Sequence, residues 1–399
     1  MNRKLFSMSL DNRAVFGGLI LLNLALRFSL LDYRSGDFDV FLSKWYQYII
    51  DHGGGAFREK FYDYTPAYVY LLWLMTETGL PALAGIKILS TAFDFGLALV
   101  GGAFVKASKP RWSRLAIVVI LFSPPVLMNS ALWGQCDAIY AFFLICSLFF
   151  LAQKRTILSF AFYAIALSFK LQAIFLAPVF LVAAVSWFKP LDLVKLAVAV
   201  VAVYALIILP ALVAGRPFLD LLNIYATQAG GMSVRGLLGN APGFALLVMG
   251  FDANTIGAGM LNELFWLHTL TALLVSIGLV LLARSLRPPL SNETVLATAL
   301  LFAVCVPFFL PGMHERYFYV AEALSLIISF YSARWIPVAV ILNATAVATY
   351  SHYLFSISFV SLRVLSFLML VAVLTTFFNW FFTIRNPKPP QVQTIELDT

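Results

Sequence analysis

Long apolar runs follow one another along nearly the whole chain, separated by short turns rich in Lys and Arg. A membrane-crossing helix needs about 20 apolar residues, within a range of about 17 to 25. On that criterion the pattern predicts spans near 14–31, 82–105, 115–131, 137–152, 156–170, 173–188, 192–213, 263–283, 294–310, 317–333, 336–352 and 357–384. The expected fold is all-α, one polytopic membrane domain over 1–399 of about 12 helices.

The run at 66–81, PAYVYLLWLMTETGLP, is short and broken by Pro66, Glu77 and Gly79. Counting it as a span would put Lys106, Lys109, Arg111 and Arg114 outside. Counting it as re-entrant or interfacial puts them inside, as the positive-inside rule asks, and every later basic turn then agrees. Residues 66–80 are therefore expected not to cross. The expected topology has residues 1–13 in the cytoplasm, a first outer loop at 32–81 and a second at 214–262, either gating or connecting. A cytoplasmic tail at 385–399 ends it. The first span reads as retained rather than as a cleaved signal peptide.

Composition agrees with that class: 61% of the residues are hydrophobic, 12% are charged and the mean hydropathy is +0.90. Soluble domains carry about 25% charged residues. The formal charge of +8 does not point to nucleic acid, because the bases sit in short turns where they act as topology signals and lipid contacts. Cys136, Cys146 and Cys305 lack ligand-like spacing and read as structural thiols.

One polar stretch, residues 32–65, holds Asp32, Asp37, Asp39, Asp51, Glu59 and Asp63, six of the nineteen acids. Ionised groups are costly in hydrocarbon, so this clustering places them in water at a membrane surface. Within it Phe38, Phe41, Trp45, Tyr48 and Ile49 have the spacing of a helix lying on the bilayer. Bases expected on the same face, Lys170 and Arg316, break the charge rule and ask for a reason.

Phosphate handling supplies one: Lys gives a point charge, Arg a planar fork and His314 a further donor. Asp37 or Asp39 could act as a general base, or equally as a cap and first-turn acid of the helix that follows; a DxD could also hold a divalent ion. Lys170 could snorkel to headgroups, and His314, Glu315 and Arg316 could form a solvated ion-pair cluster. Asp94 and Lys87 lie within one span and could pair, but seven residues put them about two turns apart, so buried polar glue between helices is the expected role. Tyr62, Tyr64, Tyr68 and Tyr70 read mostly as an interfacial belt. A transporter or flippase of a lipid-linked or anionic solute is the alternative class.

Five motifs in order, GDFDVFLSKW (36–45), DYTPAYVYLLWL (63–74), WGQCDAIY (133–140), SFKLQAIFLAPVFL (168–181) and PGMHERYF (311–318), resemble the GT-C class of integral membrane glycosyltransferases. The similarity is to GPI-anchor mannosyltransferase-related proteins and to dolichyl-phosphate-glucose-dependent enzymes, and covers residues 30–320. It implies inverting transfer of a hexose, mannose or glucose, from a polyprenyl-phosphate donor to a lipid or glycan acceptor at the outer or lumenal face. Asp37 would be the catalytic base and Asp39 the second acid of the pair. Lys170 with Gln172, and His314 and Arg316 with Glu315 between them, would meet the donor phosphate. Gln135 and Asp137 match a polar outer turn. Tyr64-Thr65-Pro66 departs from the commoner tyrosine-proline-proline. No cofactor is expected; a divalent metal is possible but not favoured, because no His or further Asp stands near Asp37 to make a tight site. The expected partners are the donor, the acceptor and membrane lipids, with no nucleic acid and a monomeric state. The expected location is the plasma (inner) membrane, or the ER membrane in a eukaryote.

Overall fold

The computed structural model describes residues 12–189, 191–230, 241–248 and 258–386. All regular structure among them is helical. The helices are α1 (Arg13–Ser29), α2 (Ser43–His52), α3 (Pro66–Thr76), α4 (Ala82–Ser108), α5 (Ser113–Leu121), α6 (Asp137–Ala152), α7 (Thr156–Phe169) and α8 (Ala177–Ser186). They continue with α9 (Leu191–Val213), α10 (Phe218–Gly230), α11 (Ala258–Leu286), α12 (Asn292–Phe309), α13 (Tyr319–Ser329), α14 (Ile336–Phe355) and α15 (Leu362–Arg385). Most of the terminal segments 1–13 and 385–399, and part of the second long loop (231–240 and 249–257), lie outside the described residues.

Among the described residues six helices are long and apolar enough to cross a membrane: Ala82–Ser108, Leu191–Val213, Gly259–Leu286, Asn292–Phe309, Ala333–Phe355 and Leu362–Arg385. A pair bent by 51°, Pro110–Leu121 with Pro124–Trp133, makes a seventh if it is one span. The protein is thus a membrane-embedded helical bundle. Pro66–Thr76, Asp137–Ala152, Thr156–Phe169 and Leu171–Ser186 are shorter apolar helices. At about 1.5 Å per residue, the 11 residues of α3 rise about 16 Å, roughly half of a hydrocarbon core.

The short helices are closed by defined stops. After α6, Lys154 takes a positive φ of 61°, and Arg155 N–H bonds the Phe150 carbonyl at 2.9 Å, a Schellman closure that turns the chain into α7. At the other end of α6, Gly134 adopts φ 75° and reverses the chain between Trp133 and Gln135. A side chain in that left-handed conformation would be strained, so glycine suits the turn.

Buried polar contacts join the first helix to the rest. Asn23 Nδ2 donates to the Leu121 carbonyl at the end of α5 (2.9 Å), and Arg27 Nε donates to Asn23 Oδ1 (2.9 Å). Arg27 Nη1 meets Asp94 Oδ2 at 2.6 Å, while the Ser130 hydroxyl and Tyr319 (2.9 Å) also donate to Asp94. Asp94 therefore pairs with Arg27 and not with Lys87. Lys87 Nζ instead donates to the carbonyls of Leu30 (2.8 Å), Leu31 (3.0 Å) and Tyr33 (2.6 Å), satisfying acceptors left open where α1 ends. Seven residues were too far for a pair along one helix, and the packed neighbours supplied closer partners.

The first loop folds onto the bundle. Phe38, Trp45 and Ile49 are buried against α3 together with Tyr62 and Tyr68, so most of this apolar face covers protein rather than lipid, while Phe41 stays exposed. Of the four tyrosines, Tyr62 and Tyr68 are 3% and 1% exposed and so are packed inside rather than set in a belt, while Tyr64 and Tyr70 are half-buried.

Breaking the α1–α4 ion pair tests this anchoring. Asp94→Ala leaves Arg27 buried and unpaired and is expected to cost about 3–5 kcal/mol, whereas Arg27→Met with Asp94→Leu recovers much of the loss. Thermal unfolding in detergent measures both, and equal melting temperatures for the single and double variants would contradict the pairing.

Candidate functional site

A cavity of about 520 Å³ opens between the first loop, the 133–135 turn, the 170–172 turn, the 312–317 segment, α10 and the end of α14. Asp37, Tyr64, Gln135, Lys170, Gln172, His314 and Arg316 all line it. Asp39, Asp137 and Glu315 do not.

Three local features aim Asp37. The Ser35 hydroxyl donates to the Trp133 carbonyl (2.7 Å) and accepts from Phe38 N–H (3.2 Å), so Ser35 caps the helix that follows. Asp37 makes no capping hydrogen bond and is left to face the cavity. Lys87 fixes the exit of α1 a few residues earlier. The wall opposite comes from the Gly134 turn, held by Ser90 Oγ on the Gln135 carbonyl (2.7 Å).

The Asp37 carboxylate accepts four hydrogen bonds. Trp133 Nε1 (3.0 Å), Gln135 Nε2 (2.5 Å) and Arg316 Nη1 (3.2 Å) converge on Oδ2, and the Tyr353 hydroxyl (2.5 Å) meets Oδ1. An oxygen of an ionised carboxylate offers about two acceptor positions, so Oδ1 keeps capacity for a ligand proton. Tyr353 also stacks on Trp133, centroids 4.4 Å apart, and the Arg316 guanidinium lies 5.4 Å from the Trp133 centroid on cation–π terms.

Asp137 works one layer behind. It is fully buried, ion-paired with Lys170, and accepts from Asn129 Nδ2 at 3.0 Å. Arg316 Nε lies 4.0 Å from its Oδ2. The order Asp37, Arg316, Asp137, Lys170 thus alternates negative and positive along one wall. Lys170 is only 3% exposed, held over Tyr64 and Tyr140, and is not a snorkelling side chain.

Asp39 goes elsewhere: its carboxylate pairs with Arg34 at 2.6 Å on the surface, both side chains being well exposed. Since Asp39 follows Asp37 by two positions in a helical turn, the two cannot share a face. The two carboxylates therefore do not converge on one point, and no group of three or more His, Cys, Asp or Glu that could hold a metal ion occurs among the described residues. Glu315 is buried with both carboxylate oxygens unpartnered; desolvation raises its pKa, which favours the neutral acid.

The His314 ring opens on the cavity. Desolvation against the surrounding wall, followed by the Arg316 and Lys170 charges, lowers its pKa to about 4, so it is neutral at pH 7. It can serve there as a neutral donor or acceptor.

Sequence reasoning missed Tyr353, the indole N–H of Trp133, Asp63, Tyr317 and Gln228. Gln228 of α10 lines the cavity and bonds the Asp63 carbonyl, which brings the second long loop into the wall. The only available signal for Tyr353 was a run of polar residues at the end of a predicted span, YSHY. Compared with models of known protein families and with curated proteins, the chain matches none.

The depressed His314 pKa fixes the sign of a pH effect. The unfolded chain takes up this proton near its ordinary value of about 6.5, before the folded one does, so the group's contribution to stability is lost as pH falls from about 6.5 toward 4. Melting temperatures at pH 7.5 and 5.5 should therefore drop more for wild type than for His314→Gln. Identical drops would contradict a neutral His314.

Proposed function

We propose that this cavity is the active site of an inverting glycosyltransferase of GT-C type. It would move a hexose from a polyprenyl-phosphate donor to a lipid or glycan acceptor. The observation that carries the reading is the Asp37 carboxylate facing the same cavity as the Lys170 and Arg316 cations, with neutral His314 beside them. The order of motifs resembling that class supports it.

Asp37 Oδ1 takes the proton of the acceptor hydroxyl as its oxygen attacks the anomeric carbon. The bond from that carbon to the lipid phosphate breaks on the opposite face, and the phosphate leaves with the electron pair. Negative charge moves from Asp37 to the phosphate, across Arg316. Arg316 has Nη1 toward Asp37, while Nε makes no hydrogen bond. Arg316 and Lys170 therefore stay in place as the charge they stabilise changes owner, which is preorganised electrostatic catalysis. Tyr353 and Trp133 hold the carboxylate in position.

In this reading α1, the bent pair, α6, α7, the 171–186 helix and α13 complete the bundle to about 12 spans, and α3 stays on the cavity side. The cavity then opens to the non-cytoplasmic face of a plasma or ER membrane. A transport path would need ionisable groups open to both sides, whereas Asp94 and Arg27 are closed on each other.

The test is transfer by purified protein from a panel of short-chain polyprenyl-phosphate hexoses, followed by mass spectrometry of the acceptor. Asp37→Asn should lower the rate at least about a hundredfold while the melting temperature changes little. No transfer from any donor, or near wild-type transfer by Asp37→Asn, would overturn the proposal.

A further inference from the structure

Arg216 has no part in the reaction above. It follows α9 after Gly215, whose φ is +99°, and it is only 3% exposed. Nη1 donates to the Tyr62 hydroxyl at 2.5 Å, and the guanidinium carbon lies 4.8 Å from the Tyr62 ring centroid. Nε and Nη2 are buried without any hydrogen-bond partner. No carboxylate stands within ion-pair distance of Arg216 among the described residues.

The surrounding groups are phenols. Tyr204 commits its hydroxyl to the Leu221 carbonyl (2.6 Å), and the Tyr70 oxygen accepts from Ala211 N–H (3.0 Å). Burying a cation without a counter-charge is strongly unfavourable, so a fold that keeps one is expected to receive its anion from outside. The two unpartnered donors form one edge of the guanidinium, the planar fork that matches two oxygens of a phosphate.

A second cation is close. The Arg58 stem crosses Gly215, where an added Cβ would meet its Cδ at 3.7 Å and its Nε at 3.8 Å. Arg58 is exposed, and among the described residues neither Glu59 nor Asp220, the acids nearest in sequence, pairs with it or with Arg216. Arg58 is long and exposed, and its stem lies against the residue that precedes Arg216. Along the chain the place adjoins a cavity residue: Tyr62, which holds Arg216, precedes Asp63, which lines the cavity.

We infer that the Nε–Nη2 edge of Arg216, with Arg58, binds a phosphate group carried on a membrane lipid, and that this lipid is the acceptor. The word acceptor rests on the transferase reading; the binding does not. A phosphate held beside Tyr62 would leave the lipid's hydroxyl-bearing part free to reach Asp37.

Dihexanoyl-phosphatidylglycerol titrated into the full-length protein in neutral detergent, read by thermal shift, supplies the probe. Arg216→Gln should raise its dissociation constant about tenfold or more, and Arg58→Gln about threefold, as for loss of charge-assisted hydrogen bonds. Wild-type binding in both folded variants would overturn the inference. If Arg216→Gln does not fold, the exposed Arg58→Gln decides alone. Inorganic phosphate protecting as well as the lipid at equal concentration would overturn the lipid-borne assignment. Binding is measured without turnover, so an Arg216-dependent lipid site in a protein that transfers no sugar would sink the transferase reading and leave the site standing. Unchanged lipid binding in a protein that does transfer sugar would do the reverse.

Discussion

The hydrogen bonds that converge on the Asp37 carboxylate come from parts of the chain as far as 316 residues away. Trp133 and Gln135 reach it from one turn, Arg316 from a second segment and Tyr353 from the end of α14. A carboxylate taken partly out of water needs such donors, because desolvation without them would cost more than the loop's packing returns. The cavity therefore exists only when these helix ends are assembled. The loop cannot be treated as an appendage on a finished bundle, since Lys87 and Ser35 fix its start to α4 and to the Trp133 turn.

Much of this was legible in the pattern of residues, for reasons that can be named. Acids clustered between apolar runs mark water at a membrane surface, so the stretch holding Asp37 stood out on solvation grounds alone. The apolar runs located the long helices because burial in hydrocarbon leaves no other backbone solution. The weak points were local. The 38–49 apolar spacing gave a helix but could not say whether that face met lipid or protein, since both are apolar. Ser35 took the capping role that Asp37 had been offered, Asp39 lies in the first turn as its spacing suggested, and the helical turn then separated the two acids.

Partners were the unreadable part. Arg27, Asp94 and Lys87 each announce a polar need within apolar helices, but which helices touch is decided by packing, which a single sequence does not carry. Tyr353 illustrates this most clearly. At the end of α14 its hydroxyl reads as an interfacial tyrosine, and only the approach of that helix to the Trp133 turn makes it a partner of Asp37. Gln228 entered the wall in the same way, through a helix in a loop that had no predicted structure.

The two anion-seeking places differ in a way that matters for the proposed chemistry. Along the cavity wall Arg316 and Lys170 are each matched by a carboxylate, so the resting wall has little net charge with which to hold a phosphate. Its attraction for the departing phosphate grows only as Asp37 accepts a proton and ceases to compete for Arg316. Among the described residues Arg216 has no such competitor, and it would attract an anion at once. Ground-state affinity would then sit at Arg216, apart from the reacting groups, while the stabilisation at Asp37 and Arg316 appears only as charge moves. That division puts binding energy where it holds the lipid and electrostatic energy where it lowers the barrier, which is what differential binding of the transition state requires.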